Sequence, residues 1–313
     1  MSKVTVAAFR YAPAIGGAEN YTRRLLREIG ERVDVNIVTL LTTQRTDWLH
    51  ALIEGERDQP DSYAVDGRAV TALARWPFAT RRALNLLAPG YHVPGSPSPW
   101  LMGRLLSRPL AGVAAATQVL HNIFMGREAF SAGLLQAARN AGKPFVFTPL
   151  RHQRPLGWNS PAFQRLYRLS DAVVALTHGE AEWLAANGAD ERRLHVIGLG
   201  PQNDPAASPN QARDKVGGDG KMVLFLGQLH GYKGFRELLG AARVLEHRRD
   251  IQFVFAGPDV RGNGDAFTRA GRNVTWLGPV GEEMRDSLLS ACSVLCVPSS
   301  RESFGSVREL RER

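Results

Sequence analysis

The residues able to do chemistry are few, and they stand beside glycines. Lys233 ends the stretch Gly227-Gln-Leu-His-Gly-Tyr-Lys233, followed by Gly234, and Glu302 stands in Ser300-Arg-Glu302-Ser303-Phe304-Gly305. An apolar run, Val294 to Val297, precedes the second stretch and reads as a buried parallel strand closed by Pro298. A loop after a parallel strand opens at the carboxyl edge of its sheet, where α/β folds bind ligands. A helix starting there offers free backbone N–H groups and a positive dipole end, which suits phosphate. Glu302, beside such an anion site, is placed to hold sugar hydroxyls. A plain strand–loop–helix connection would carry the same residue types, so the pattern has to be weighed with its neighbours.

Lys233 is a flexible point charge suited to a diphosphate. Its loop is not a P-loop, because the G-x-x-x-x-G-K-[ST] spacing fails. Two further strand-end loops, Gly257-Pro258-Asp259 and Gly278-Pro279-Val280, also carry glycine where backbone can come close to a ligand. Near the N-terminus Gly16-Gly17 lies between a strand and a helix. The pair lacks the G-x-G-x-x-G spacing of a dinucleotide site and equally suits a tight turn. His121 ends the strand Gln118 to His121 in this reading, where it can orient a sugar or a phosphate; a lone histidine is more often structural. Leu150-Arg-His-Gln-Arg154 forms a basic loop at the same sheet edge.

These loops need two series of alternating strands and helices. The first runs through strands Val4–Phe9, Val35–Leu40, Ala69–Leu73, Gln118–His121, Pro144–Thr148, Asp171–Leu176 and His195–Ile197. Its helices are Ala18–Gly30, Glu128–Asn140, Ala162–Leu169 and one from Thr177, the N-cap, to Asn187, ended by Gly188. Residues 41–66 are polar and poorly patterned. Gly198 to Gly220 is rich in Gly, Pro, Asn, Asp and Ser without a period, which marks a domain boundary. The second series has strands Met222–Leu226, Ile251–Ala256, Val274–Leu277 and Val294–Val297, with helices Phe235–His247 and Glu282–Ala291. The expected organisation is α/β: a first domain over 1–200, a linker over 201–220 and a second domain over 221–313, each built on a doubly wound parallel sheet.

The 313 residues, 44% hydrophobic and 22% charged, are those of a soluble globular protein. No apolar run is long enough to span a bilayer, and Met1-Ser-Lys leads straight into a strand, so no signal peptide is expected and the cytoplasm is the expected compartment. Cys292 and Cys296 read as small core residues. The charge is unevenly placed. From Gly67 to Ser170 there are 13 Lys and Arg and one acid, Glu128, although the whole chain carries only +9. Such a span implies an anionic partner. Between Arg75 and Arg108, arginines alternate with Trp, Phe and Leu, which suits peripheral contact with anionic lipid or, equally, helices with arginine turned outward. Nucleic acid is not expected, since no reader motif or stacking platform is present.

The phrases LFLGQLHGYKGFRELLGA, FAGPD, VTWLGPV and CVPSSRESFGSV, in that order and spacing, resemble family-4 glycosyltransferases, which are retaining, nucleotide-sugar-dependent enzymes of the GT-B fold. IGGAE, His121 and SDAVVALTHGEAEWL resemble that family's N-terminal domain. The resemblance implies two Rossmann-like domains facing across a cleft, with donor on the second and acceptor on the first. It implies that Lys233 pairs with the donor diphosphate and that Glu302 holds donor sugar hydroxyls. Ser303, Phe304 and Gly305 would line the donor, with backbone N–H groups of Phe304 and Gly305 offered to it. The loops at Gln228, Gly257 and Val280 would complete the donor site. Gly16-Gly17 would close over the donor phosphates, and His121 would contact the sugar near the reacting carbon. The acceptor would be anionic or lipid-linked, or a polysaccharide. No metal or other cofactor is implied; a lysine and a helix N-terminus would offset the leaving diphosphate.

Three departures from the family pattern bear on activity. Gln228 stands where the family carries a basic residue. The family's second glutamate, which grips the ribose, falls at Leu310; Glu309 is the nearest carboxylate, one residue short and so turned by about 100° on a helix. The chain ends at Arg313, inside the helix that follows, so an incomplete second domain is expected. A non-catalytic remnant and a GT-B nucleotide-sugar epimerase are the competing expectations.

Overall fold

The computed structural model describes the chain apart from residues 1–2, 15, 31, 46, 57–58, 152–156, 200–203, 205, 218–219 and 301–313. The chain divides into two compact units, Met1–Gly198 and Leu199–Arg313.

In the first unit β1 (Lys3–Arg10), α1 (Gly17–Ile29), β2 (Asp34–Leu41), α2 (Trp48–Glu54), β3 (Ser62–Val65) and β4 (Arg68–Ala72) come first. Then follow α3 (Phe78–Leu87), α4 (Ser98–Leu106), α5 (Ala111–Ala115), β5 (Val119–Ile123), α6 (Glu128–Asn140), β6 (Phe145–Thr148), α7 (Pro161–Leu169), β7 (Ala172–Ala175), α8 (His178–Ala186) and β8 (Leu194–Val196). The strand order is β3-β4-β2-β1-β5-β6-β7-β8. Every pairing is parallel except the β3–β4 hairpin. One core joins Phe9, Leu120, Phe145 and Phe147 of the strands to Phe130 of α6 and Leu166 of α7, all fully buried. Each such side chain contributes about 2 kcal/mol of apolar burial. Local chemistry starts the helices: Ser160 Oγ accepts the Phe163 N–H with Pro161 in the first turn of α7, and Thr177 Oγ1 accepts the Glu180 N–H of α8 at 3.0 Å.

The second unit holds α9 (Asn210–Val216), β9 (Lys221–Leu226), α10 (Phe235–Val244), β10 (Ile251–Ala256), β11 (Val274–Trp276), α11 (Glu282–Ala291) and β12 (Val294–Leu295). Its four strands are parallel in the order β11-β10-β9-β12. No helix among the described residues is long and apolar enough to cross a membrane.

Several elements differ from the sequence reading. The unpatterned span 41–66 contains α2 and β3. The linker span 201–220 contains α9, whose Ala212 is fully buried and donates its N–H to Ser287 Oγ of α11 at 2.9 Å. The strand expected to end at His121 runs on to Ile123. Its next residue, Asn122, is buried with its amide donating to the Ala7 carbonyl at 2.8 Å, so a polar residue continues the strand.

Candidate active site

The carboxyl edge of the four-stranded sheet is built by backbone groups. Gly227 N–H donates to Ala256 O at 2.9 Å, and Gly257 N–H to Gly278 O at 2.8 Å, which extends the ladders past the strands. Leu229 N–H reaches Pro258 O at 2.9 Å. Gly257 has φ +144°, and a Cβ there would overlap the Gly227 carbonyl oxygen. Only glycine fits such an approach. The Asp259 carboxylate accepts the N–H groups of Asn263 and Gly264, each at 2.8 Å, and Asn263 Nδ2 donates to Leu229 O at 2.9 Å. Those backbone donors hold the Asp259 carboxyl below its usual range. The loops after β9, β10 and β11 therefore form one hydrogen-bonded rim. Val280 sits half-buried at its edge against the apolar core of the unit.

Lys233 ends a single 3-10 turn, Gly231–Lys233, and its ammonium lies 5.1 Å from the centre of the Tyr232 ring. The turn is attached to the loop after β12. Ser300 N–H donates to Tyr232 O at 2.9 Å, and Ser299 Oγ to Lys233 O at 3.5 Å. Gly234 is left-handed at φ +74°, and a Cβ on it would overlap the Pro298 carbonyl. The sequence-predicted residues Glu302, Ser303, Phe304, Gly305 and Glu309 lie outside the described residues. The chain leading to them leaves the described region at Ser300, bonded to the residue next to Lys233. Gln228 is exposed, and its carbonyl accepts the His230 N–H at 2.8 Å.

In the first unit, Gly16 is the N-cap of α1 and Gly17 its first residue. Below them lies a buried ion pair, Arg10 with Glu19. Arg10 also donates to Arg45 O at 3.1 Å and lies 4.8 Å from the Trp48 ring centre. A Cβ on Gly16 would overlap Glu19 Oε2, whereas nothing lies within 4 Å of one on Gly17. Burial raises the Glu19 carboxyl, and its Oε2 has no hydrogen-bond partner.

His121 is half-buried inside β5, paired in register with Val6 and Val146, and not at the strand end. Its Nε2 lies 2.8 Å from Thr148 Oγ1, and burial lowers its pKa to about 4. The imidazole is therefore neutral near pH 7 and makes its Thr148 contact without charge.

Two carboxylates escaped the sequence reading. Besides Glu19, Glu180 bridges two sheet-edge loops: Oε1 accepts the Arg151 N–H and Oε2 the Leu176 N–H, both at 2.8 Å. Burial raises this carboxyl too. The T-x-x-E spacing of Thr177 and Glu180 was the available signal. In a capping box the carboxylate turns back to the cap residue's own N–H; here it instead holds the ends of β6 and β7.

The mainly parallel eight-stranded sheet and the parallel four-stranded sheet match the two Rossmann-like domains of the GT-B fold in solved structures, and sequence families agree. Residues 16–200 match the family described as Glycosyl transferase 4-like domain, and residues 208–308 match Glycosyl transferases group 1. The chain belongs to the glycosyl transferase 4-like family and is a glycosyltransferase. No curated protein matches it by sequence. Among solved structures, Anabaena HepE in complex with UDP and glucose is similar at TM-score 0.65 and 17% identity, over 99% of this chain and 78% of that one. The lipopolysaccharide outer core galactosyltransferase WaaB, in its apo form, is similar at 0.59 and 11%, over 97% and 76%. The UDP-GlcNAc 2-epimerase of Methanocaldococcus jannaschii is similar at 0.56 and 11%, over 98% and 80%. At these identities the likeness is one of fold, so the epimerase reading is not favoured over the transferase families that match.

Proposed function

We propose that this glycosyltransferase moves a sugar from a nucleotide-sugar donor to a hydroxyl of a lipid-linked or polysaccharide acceptor, with retention at the anomeric carbon. The observation that carries the reading is the junction of the Lys233 turn with Pro298–Ser300 at one sheet edge. It supports a donor diphosphate held between the lysine cation and the backbone that leads into Glu302-Ser-Phe-Gly305. Lys233 and that backbone, in place of a metal, offset the charge of the leaving diphosphate. Glu302 holds the donor sugar. The acceptor hydroxyl attacks on the face the diphosphate leaves: the bond from the anomeric carbon to phosphate oxygen breaks, the bond to acceptor oxygen forms, and the hydroxyl proton passes to the departing phosphate oxygen. The first unit carries the acceptor; its Gly16-Gly17 loop is assigned to the donor phosphates and His121 to the sugar near the reacting carbon.

A thermal-shift screen against UDP-, GDP- and ADP-sugars tests this. One donor class shifts the parent chain, Lys233→Ala and Glu302→Ala each abolish the shift, and EDTA leaves it unchanged. Parent-like binding by both variants sinks the donor site.

Contact with an anionic membrane is part of the proposal. On α3, Phe78 (67% exposed) and Leu86 (83%) share a face with Arg82, whose guanidinium lies 5.6 Å from the Phe78 ring centre. Phe78→Ser/Leu86→Ser is expected to lower co-sedimentation with phosphatidylglycerol vesicles. Equal binding of parent and variant, or of anionic and neutral vesicles, removes this face from the account.

A further inference from the structure

Away from the site above, α4 and α6 come into close contact through their glycines. A Cβ on Gly103 would lie 2.6 Å from Ala132 Cβ, and one on Gly133 2.9 Å from Leu106 Cβ. Beside this contact the two helices and the end of α7 leave a cavity of about 250 Å³, lined by Trp100, Arg104, Gln136, Arg139, Asn140 and Leu169. A helix that follows a parallel strand runs back to the amino edge of the sheet. Arg139, in the last turn of α6, therefore lies at the edge opposite the carboxyl-edge loops.

The lining carries two arginines and no acid. Arg139 donates to Leu169 O at 2.9 Å, and Arg165 stands 5.4 Å from the Trp100 ring centre. No carboxylate among the described residues lies within ion-pair distance of Arg104, Arg139 or Arg165. Glu128, the one acid between Gly67 and Ser170, accepts the Tyr91 hydroxyl at 2.7 Å. It sits at the other end of α6, about 16 Å from Arg139 along the axis.

The alternative explanation of these arginines is the helix dipole, since Arg104, Arg139 and Arg168 stand in the last turns of α4, α6 and α7. The dipoles do not account for all of the charge. Three C-termini supply about −1.5 charges against four arginines, counting Arg165. Asp171, which accepts the Phe145 N–H at 2.8 Å, adds one negative charge two residues beyond Leu169. With Arg165 and Arg168 beside the lining pair Arg104 and Arg139, the surroundings of the cavity keep a net positive charge, which favours an anion. The cavity is smaller than the roughly 300 Å³ at which drug-sized sites begin, so it suits a phosphate with a small substituent and not a nucleotide.

We propose that the cleft between α4, α6 and the end of α7 binds a phosphate-bearing ligand through Arg104 and Arg139, with the Asn140 and Gln136 amides as further donors. Binding here is independent of the donor reading. The test uses the full chain. Inorganic phosphate and glycerol 3-phosphate are titrated by calorimetry against sodium chloride of equal ionic strength, and phosphatidylglycerol vesicles are compared with phosphatidylcholine vesicles by co-sedimentation. Each arginine removed weakens binding about tenfold, in Arg104→Ala, which keeps the Arg139–Leu169 bond, and in Arg104→Ala/Arg139→Ala. Losses confined to phosphatidylglycerol vesicles identify a lipid headgroup as the source; losses in the soluble titrations identify a free phosphate ester. Parent-like behaviour of both variants in both arms overturns the proposal. Phe78→Ser/Leu86→Ser leaves the soluble titrations unchanged, which separates this site from the α3 face.

Discussion

Protonating His121 should destabilise the fold by about 2 kcal/mol at pH 5. The half-buried imidazole of β5 lies against Thr148, itself fully buried, and burial lowers its pKa from 6.5 to about 4. The unfolded chain binds the proton more tightly, so the stability from neutral His121 is complete above the unfolded value and is lost as pH falls through the folded one. At pH 5 the unfolded histidine carries about 0.97 of a proton and the folded one about 0.1, which integrates to about 2 kcal/mol. The total pH profile cannot isolate this, because burial raises the Glu19 and Glu180 carboxyls. Their stability is present below the unfolded carboxylate value and is lost as pH rises through the folded one, which is the opposite sense. The measurement is therefore a difference: urea unfolding of the parent and of His121→Leu from pH 7.5 to 5. The variant leaves the Thr148 hydroxyl without its partner, a constant offset of about 1 kcal/mol. The parent's advantage should shrink by about 2 kcal/mol over that range. A difference that stays constant to within about 0.5 kcal/mol refutes the lowered His121 pKa.

Gly257→Ala meets the Gly227 carbonyl at a backbone angle that alanine avoids, and should cost about 2–5 kcal/mol in urea unfolding with loss of any donor-induced thermal shift. Glu180→Gln keeps one acceptor oxygen for two N–H groups; a loss of about 1–3 kcal/mol in urea midpoint measurements is expected. Gly16→Ala and Gly17→Ala should diverge. The first collides with Glu19 and destabilises the chain, while the second enters open space and gains up to about 1 kcal/mol of helix propensity. Comparable losses in thermal melts would refute the Glu19 account of the loop.

Long patterned elements were legible. Glu128–Asn140, Ile251–Ala256 and Glu282–Ala291 are read from the sequence with the bounds the structure has. Short elements held by tertiary contacts were not. β3 reads Ser-Tyr-Ala-Val, a weak strand, and it forms because Asp66 and Gly67 make a two-residue turn with φ +49° and +75°. Asp-Gly is a strong hairpin signal that the surrounding polar text concealed. Arg23 of α1 then grips Asp66 at 2.7 Å, a contact no local pattern encodes. Asn122 hid the end of β5 in the same way, since its partner, Ala7, lies 115 residues away. The burial of Glu19 and Glu180 is not legible in the sequence, because it is decided by what packs above them.

The phrases that carry the family resemblance encode loop packing first and ligand chemistry second. Gly257 and Gly234 are glycines because the Gly227 and Pro298 carbonyls occupy the space a side chain needs. Asp259 organises its own loop by accepting backbone N–H groups. Those motif residues are accounted for by architecture alone. Gln228 is then informative by contrast. It is exposed, and its contribution to the rim is its carbonyl, which accepts the His230 N–H whatever the side chain is. The rim keeps its shape with glutamine at 228. If the diphosphate binds as proposed, glutamine in place of the basic residue expected from the resemblance removes a positive charge there while leaving the loop that carries Lys233 intact, so the departure would fall on donor affinity and not on folding.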